Sequence, residues 1–122
     1  MTIKVLVIDD EKLLVKSTCM ALSFYGFETR GALGGEEGLR ETVDFDPRII
    51  LLDVMMPGMD GWQVLSRLRE NEATKKIPVI LFTAKEHSNG TALARSKGAV
   101  DYIPKPFEPE ELVAMLKKYT SV

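Results

Sequence analysis

Asp9, Asp10 and Glu11 follow one apolar run directly, Asp53 ends a second, Thr83 ends a third, and Lys105 stands between two prolines. Carboxylates gathered within a few ångströms repel, so either one holds a proton with a raised pKa or a cation sits among them. A hard divalent ion is the simpler answer. Oxygen donors with no His or Cys at ligand spacing suit Mg²⁺, which keeps several waters and binds through one or two carboxylates plus a phosphoryl oxygen. Lys105 adds a compact charge able to pair with Asp53 at rest and with a phosphoryl oxygen afterwards, and Thr83 adds a hydroxyl donor. A carboxylate nucleophile, a metal and a lysine can hold a phosphoryl group in transfer, because that step depends mainly on positioning and charge stabilisation. Asp53, alone at the end of its run, is the candidate nucleophile. Asp9 and Asp10, adjacent and opening a helix, are the better metal holders.

These residues can act together only if the elements before them end at one rim. Short apolar runs alternate with segments of helical period, in five βα units. Strands are expected at Ile3–Ile8, Phe27–Ala32, Ile49–Leu52, Pro78–Phe82 and Val100–Ile103. The first helix should bury a stripe of Leu14, Thr18, Ala21 and Tyr25 and stop at Gly26, a left-handed C-terminal cap. Further helices are expected near Gly35–Val43, Trp62–Asn71, Ser88–Lys97 and Pro109–Tyr119. Strands joined by helices of this length favour an α/β fold: a doubly wound five-stranded parallel sheet with right-handed crossovers and helices on both faces. In such sheets ligands sit beyond the carboxyl ends of the strands, where the singled-out residues fall.

The 122 residues fit one domain, 1–122, and a composition 45% hydrophobic and 28% charged points to a soluble globular chain. A net charge of −2 supplies no cationic field for direct nucleic acid binding. The single cysteine, Cys19, cannot form an internal disulfide, and no signal peptide or membrane-inserting run is present, so a cytoplasmic location is expected.

At four strand ends the chain resembles the receiver domains of two-component response regulators, over essentially its whole length. The resemblance rests on Asp9-Asp10-Glu11, on Asp53-Val54-Met55-Met56-Pro57-Gly58-Met59-Asp60-Gly61, on Thr83-Ala84, and on Asp101-Tyr102-Ile103-Pro104-Lys105-Pro106-Phe107. It implies a flavodoxin-like strand order of 2-1-3-4-5. It also implies that Asp53 is the phosphoacceptor, receiving its group from a phosphohistidine on a sensor histidine kinase or a histidine phosphotransfer protein. Mg²⁺ would be held by Asp10 and Asp53, by Asp9 through water, and by the backbone carbonyl of Met55. Thr83 and Tyr102 would form a switch in which the hydroxyl moves to the phosphoryl oxygen and the ring turns inward. The Lys105-Pro106 bond would be cis. Such a chain is a phosphorylated signalling protein, not an enzyme acting on a separate substrate, although it catalyses its own phosphotransfer and slow dephosphorylation. Val100 stands where many relatives carry an acid. Met55 stands where a polar side chain often organises the hydrolytic water, which points to slow self-hydrolysis.

Each residue alone has a plainer reading: Asp9, Asp10 and Thr83 as helix caps, Asp53 as a loop acid, Lys105 as surface, Tyr102 as core. His87 reads as solvent-facing, Cys19 as helix surface or packing, and Met55, Met56 and Met59 as flexible packing over the site. Leu13, Met20 and Phe24 lie off the expected core stripe. With Pro106 and Phe107 they form a candidate docking surface for the phosphodonor protein. A stand-alone receiver is one reading, since the last helix ends the sequence, and a receiver cut from a longer regulator with a DNA-binding or enzymatic part is another. A phosphohydrolase would need an acid two residues after the nucleophile, where Met55 stands. A flavin or nucleotide binder would need a glycine-rich loop after the first strand, where the acids stand.

Overall fold

The buried runs that alternate with amphipathic segments form the expected βα repeat in the computed structural model, which describes residues 2–83 and 90–121. The strands are β1 Lys4–Ile8, β2 Glu28–Ala32, β3 Ile49–Asp53, β4 Val79–Thr83 and β5 Asp101–Pro104. The helices are α1 Lys12–Phe24, α2 Gly35–Phe45, α3 Gly61–Glu70, α4 Gly90–Ser96 and α5 Pro109–Thr120. All neighbouring strands pair in parallel, in the order β2-β1-β3-β4-β5. This is the flavodoxin-like order.

Strand alternation divides the core. Val5, Val7, Ile49, Leu51, Ile80, Phe82 and Ile103 pack with Val15 and Leu22 of α1 and Leu112, Val113 and Leu116 of α5. Leu6, Ile8, Ile50, Leu52 and Leu81 face the other way, onto Phe45 of α2, Val64, Leu65 and Leu68 of α3 and Ala94 of α4. β3 and β4 are buried at every position, as strands covered on both faces must be.

Several boundaries differ from expectation for local reasons. α3 begins one residue early because Asp60 and Gln63 form a reciprocal capping box. α2 continues to Phe45, whose ring is buried beneath the cations of Lys4 and Arg30, and ends where Asp46 takes the left-handed conformation at φ 51°. The α1 stripe is rotated from the expected one: Val15, Thr18 and Leu22 are buried, Leu14 and Ala21 are half-buried, and Tyr25 is exposed. A helix apolar around most of its circumference does not declare its inward face. The stop at Gly26 is as expected, with φ 94°. The expected α4 start at Ser88, with Ala84 and His87, lies outside the described residues.

Among the described residues three acids, Asp9, Asp53 and Asp101, are buried in this frame, and the last is the one that hydrogen bonds satisfy most fully. Asp101, at the start of β5, is buried and accepts from the Tyr119 hydroxyl at 2.6 Å, the Tyr102 N–H at 2.8 Å and the Thr91 hydroxyl at 3.1 Å. Burial alone would raise its pKa. The donors from Tyr119, Tyr102 and Thr91, with the charge of Lys118, outweigh burial and hold it below the usual aspartate value. A depressed carboxyl pKa contributes stability above the unfolded value and loses it as pH falls through the folded one. Tyr119→Phe should therefore cost about 1–2 kcal/mol in urea denaturation at neutral pH. The loss should shrink in acid as Asp101 takes up a proton; a pH-independent loss would assign the effect to packing.

Candidate functional site

Alternation also selects the side of the rim at which the acids meet. Asp9 follows Ile8 and so shares a side with Val7, while Asp53 shares a side with Leu51, both over the face that α1 and α5 cover. β1 and β3 are adjacent, so the two acids arrive together. One carboxylate oxygen from each of Asp9, Asp10 and Asp53 lies within 4.8 Å of the others, with Asp9 and Asp53 buried and Asp10 exposed. The donor set is all oxygen and open on the Asp10 side, which suits a hard divalent cation.

Lys105 comes to this rim from β5. Its N–H donates to the Thr83 carbonyl at 2.9 Å, and the Lys105–Pro106 peptide is cis. The expected resting pair with Asp53 is present at 3.5 Å, and the ammonium sits closer still to Asp9, at 2.6 Å. The physical reason is burial. Asp9 is fully buried, and its other oxygen already accepts the Glu11 N–H at 3.0 Å, so the oxygen left over takes the nearest cation. Asp9 thus tethers the residue before α1 rather than capping the helix, and Glu11 at the cap makes no side-chain capping bond.

Asp53 is left with the weaker compensation. Burial and the neighbouring Asp9 charge push its pKa up to about 6, against the opposing effects of Lys105 and of the Met55 N–H, 3.4 Å away. A Cβ at Gly61 would meet the Asp53 carbonyl oxygen at 2.3 Å, so only glycine lets α3 begin this close behind the strand.

Thr83 is buried at the next register position, on the opposite side of the sheet from Asp53 by alternation, and lines a cavity of about 230 Å³ with Val54, Met55, Trp62, Leu81 and Tyr102. The half-buried Tyr102 ring lies against Gly90 of α4, where a Cβ would meet it at 2.4 Å. The methionines divide: Met56 is buried, Met59 packs partly buried against the core, and Met55 is exposed at the cavity. Cys19 is half-buried among core residues, and burial raises its thiol pKa. Leu13 is 81%, Met20 65% and Phe24 86% exposed, on the side of α1 away from the core. Pro106 is exposed and Phe107 half-buried at a groove that α1 and the β5–α5 loop share.

Sequence reasoning missed the three donors around Asp101, the aromatic floor under Lys105 and the role of Gly61. An acid inside an apolar strand is a signal for the first. The others depend on register and close approach, which carry no residue-type signature.

Residues 5–117 match the family model of the response regulator receiver domain. The chain is 40% identical over 113 residues to the phosphate regulon transcriptional regulatory protein PhoB of Pseudomonas aeruginosa, covering 93% of this chain and 49% of that protein. It is 35% identical over 117 residues to protein PilG of the same organism, covering 96% of this chain and 87% of PilG. The chain spans about half the length of several other curated relatives it matches. Among solved structures, a Vibrio cholerae chemotaxis protein superposes with a TM-score of 0.89 at 27% identity, covering 98% of this chain and 99% of that one. A Francisella response regulator receiver domain superposes with a TM-score of 0.88 at 29% identity, covering 98% and 97%. Among the described residues no helix is long and apolar enough to cross a membrane.

The raised Asp53 pKa sets a stability test. A carboxyl whose pKa is raised by folding favours the fold while neutral and costs stability as pH rises through the folded value. Asp53→Asn should raise the melting temperature of the protein in chelator at pH 7.5 by several degrees. The gain should shrink as pH falls below about 6. A variant less stable than the parent at pH 7.5 would contradict this charge balance.

Proposed function

This chain belongs to the response regulator receiver family, and from that premise we propose that it accepts a phosphoryl group on Asp53 from a protein phosphohistidine and passes the event on as a change of surface. The observation that carries this reading is the buried Asp53 carboxylate, undercompensated by Lys105 at 3.5 Å and grouped with Asp9 and Asp10 at an oxygen-only rim. An Asp53 oxygen attacks phosphorus, the O–P bond forms as the N–P bond breaks, and the electron pair stays on the imidazole nitrogen, which takes up a proton. Asp10 and Asp53, with the Met55 carbonyl and with Asp9 through water, would hold Mg²⁺. Once bound, the ion would neutralise charge on the transferring oxygens. Lys105 turns from the carboxylates to the new phosphoryl oxygen, and the Thr83 hydroxyl and Tyr102 ring answer on the cavity side of the sheet.

Incubation with acetyl phosphate and Mg²⁺ should add one phosphoryl group by intact mass, and Asp53→Ala or chelator should abolish the addition. No Asp53-dependent addition would overturn the reading.

The phosphodonor docks, on the same reading, over Leu13, Met20, Pro106 and Phe107: Leu13 and Met20 are exposed on the outer side of α1, and Pro106 and Phe107 line the groove that α1 shares with the Lys105 loop. The family works with histidine kinases. The DNA-binding regulators among the relatives extend well beyond the segment matched here, so the readout can be a joined segment or a separate protein reached through the Tyr102 side of the domain. Met20→Glu should slow transfer from a phosphohistidine protein at least tenfold, the effect of losing roughly 1.4 kcal/mol of docking, while sparing labelling by acetyl phosphate. Equal loss with both donors would remove the docking assignment.

A further inference from the structure

Phe82 is fully buried, yet its ring does more than fill the core. The Lys105 ammonium lies 4.7 Å from the ring centroid, and the Phe107 ring leans on Phe82 with centroids 6.1 Å apart and planes at 59°. The strand pairing explains the placement. Phe82 is the register partner of Asp53, on the same side of the sheet, so the ammonium that approaches Asp53 lies over this ring.

We infer that Phe82 is a positioning residue for phosphotransfer, holding the Lys105 ammonium between Asp9 and Asp53 by presenting its π face as the third wall of the lysine's pocket. The inference rests on the reading of Asp53 as phosphoacceptor. An ammonium has three N–H donors on a flexible four-carbon stem. Asp9 takes one at 2.6 Å and Asp53 approaches another at 3.5 Å, while the Lys105 side chain is only 12% exposed. An aliphatic wall on the remaining side would desolvate the charge without return. The ring quadrupole attracts the cation and occupies no N–H with a fixed acceptor. Because that attraction has little directional preference within the ring face, the ammonium can move from Asp9 towards an oxygen on Asp53 while staying over the ring. Phe107 limits the ring's own movement.

The test replaces Phe82 in the full chain by its mono-, di- and trifluorinated forms, which nearly preserve shape while withdrawing charge from the ring face. Asp53 labelling by acetyl phosphate and Mg²⁺ is followed by intact mass. The rate should fall stepwise with fluorine number, about threefold to tenfold across the series. Equal rates across a series that labels normally would reduce Phe82 to packing and overturn the inference, with the phosphoacceptor reading intact. No Asp53-dependent labelling even with unmodified phenylalanine would overturn that reading and this inference together. A second measurement needs no turnover: the Lys105 ε-methylene protons should be shifted upfield by the ring current and return to ordinary values in Phe82→Leu. Unshifted protons in the parent protein would also overturn it.

Discussion

Two carboxylates buried side by side at the ends of adjacent strands, with one ammonium between them, are the interaction on which this structure depends. Burial and the neighbouring Asp9 charge both push Asp53 towards protonation. Lys105 relieves Asp9 more than Asp53, at 2.6 Å against 3.5 Å. The outcome is an asymmetric pair. One acid is locked by a cation and a backbone N–H, and the other is left with its pKa near 6. An acid in that state gains from any further positive charge, which is the condition a metal-assisted phosphoacceptor needs.

The fold supplies the asymmetry by simple means. The order β2-β1-β3-β4-β5 makes β1 and β3 neighbours, so Asp9 and Asp53 must meet. The crossover through α4 returns β5 beside β4, where the Thr83 carbonyl fixes the Lys105 backbone. Alternation then sorts the side chains. Asp9, Asp53 and Phe82 face the α1 and α5 side, while Thr83 falls on the α2, α3 and α4 side, where Tyr102 also packs. The acid rim and the Thr83 cavity thereby lie on opposite sides of one sheet while remaining one residue apart along β4.

Much of this was legible from residue types. Apolar runs ending in Asp9, Asp53 and Thr83 announce buried parallel strands, and a buried acid needs a partner, which left Lys105 as the evident cation. The α1 face was not legible, because a helix carrying Leu13, Leu14, Val15, Met20, Ala21, Leu22 and Phe24 is apolar almost all round and only docking shows that Val15 and Leu22 go inward. The lysine's pairing with Asp53 was legible; its closer contact with Asp9 was not, because Asp9 and Asp10 look equivalent in a sequence, whereas strand pairing buries one and exposes the other. Gly61 and Phe82 matter through distances of a few ångströms to groups far away in the chain.

β5 joins the two halves of the problem. It begins at Asp101, anchored to Thr91 of α4 and Tyr119 of α5, and leads one residue beyond its end to Lys105. Tyr102 lies between these ends, its backbone N–H held by Asp101 and its ring against Gly90. A displacement of Lys105 towards Asp53 therefore pulls on a strand four residues long, tied at its far end to two helices. Packed interiors respond to such a pull by moving between discrete arrangements rather than by stretching. The cavity beside Thr83 borders the Tyr102 ring, and the buried Asp101 network ties the start of β5 to α4 and α5.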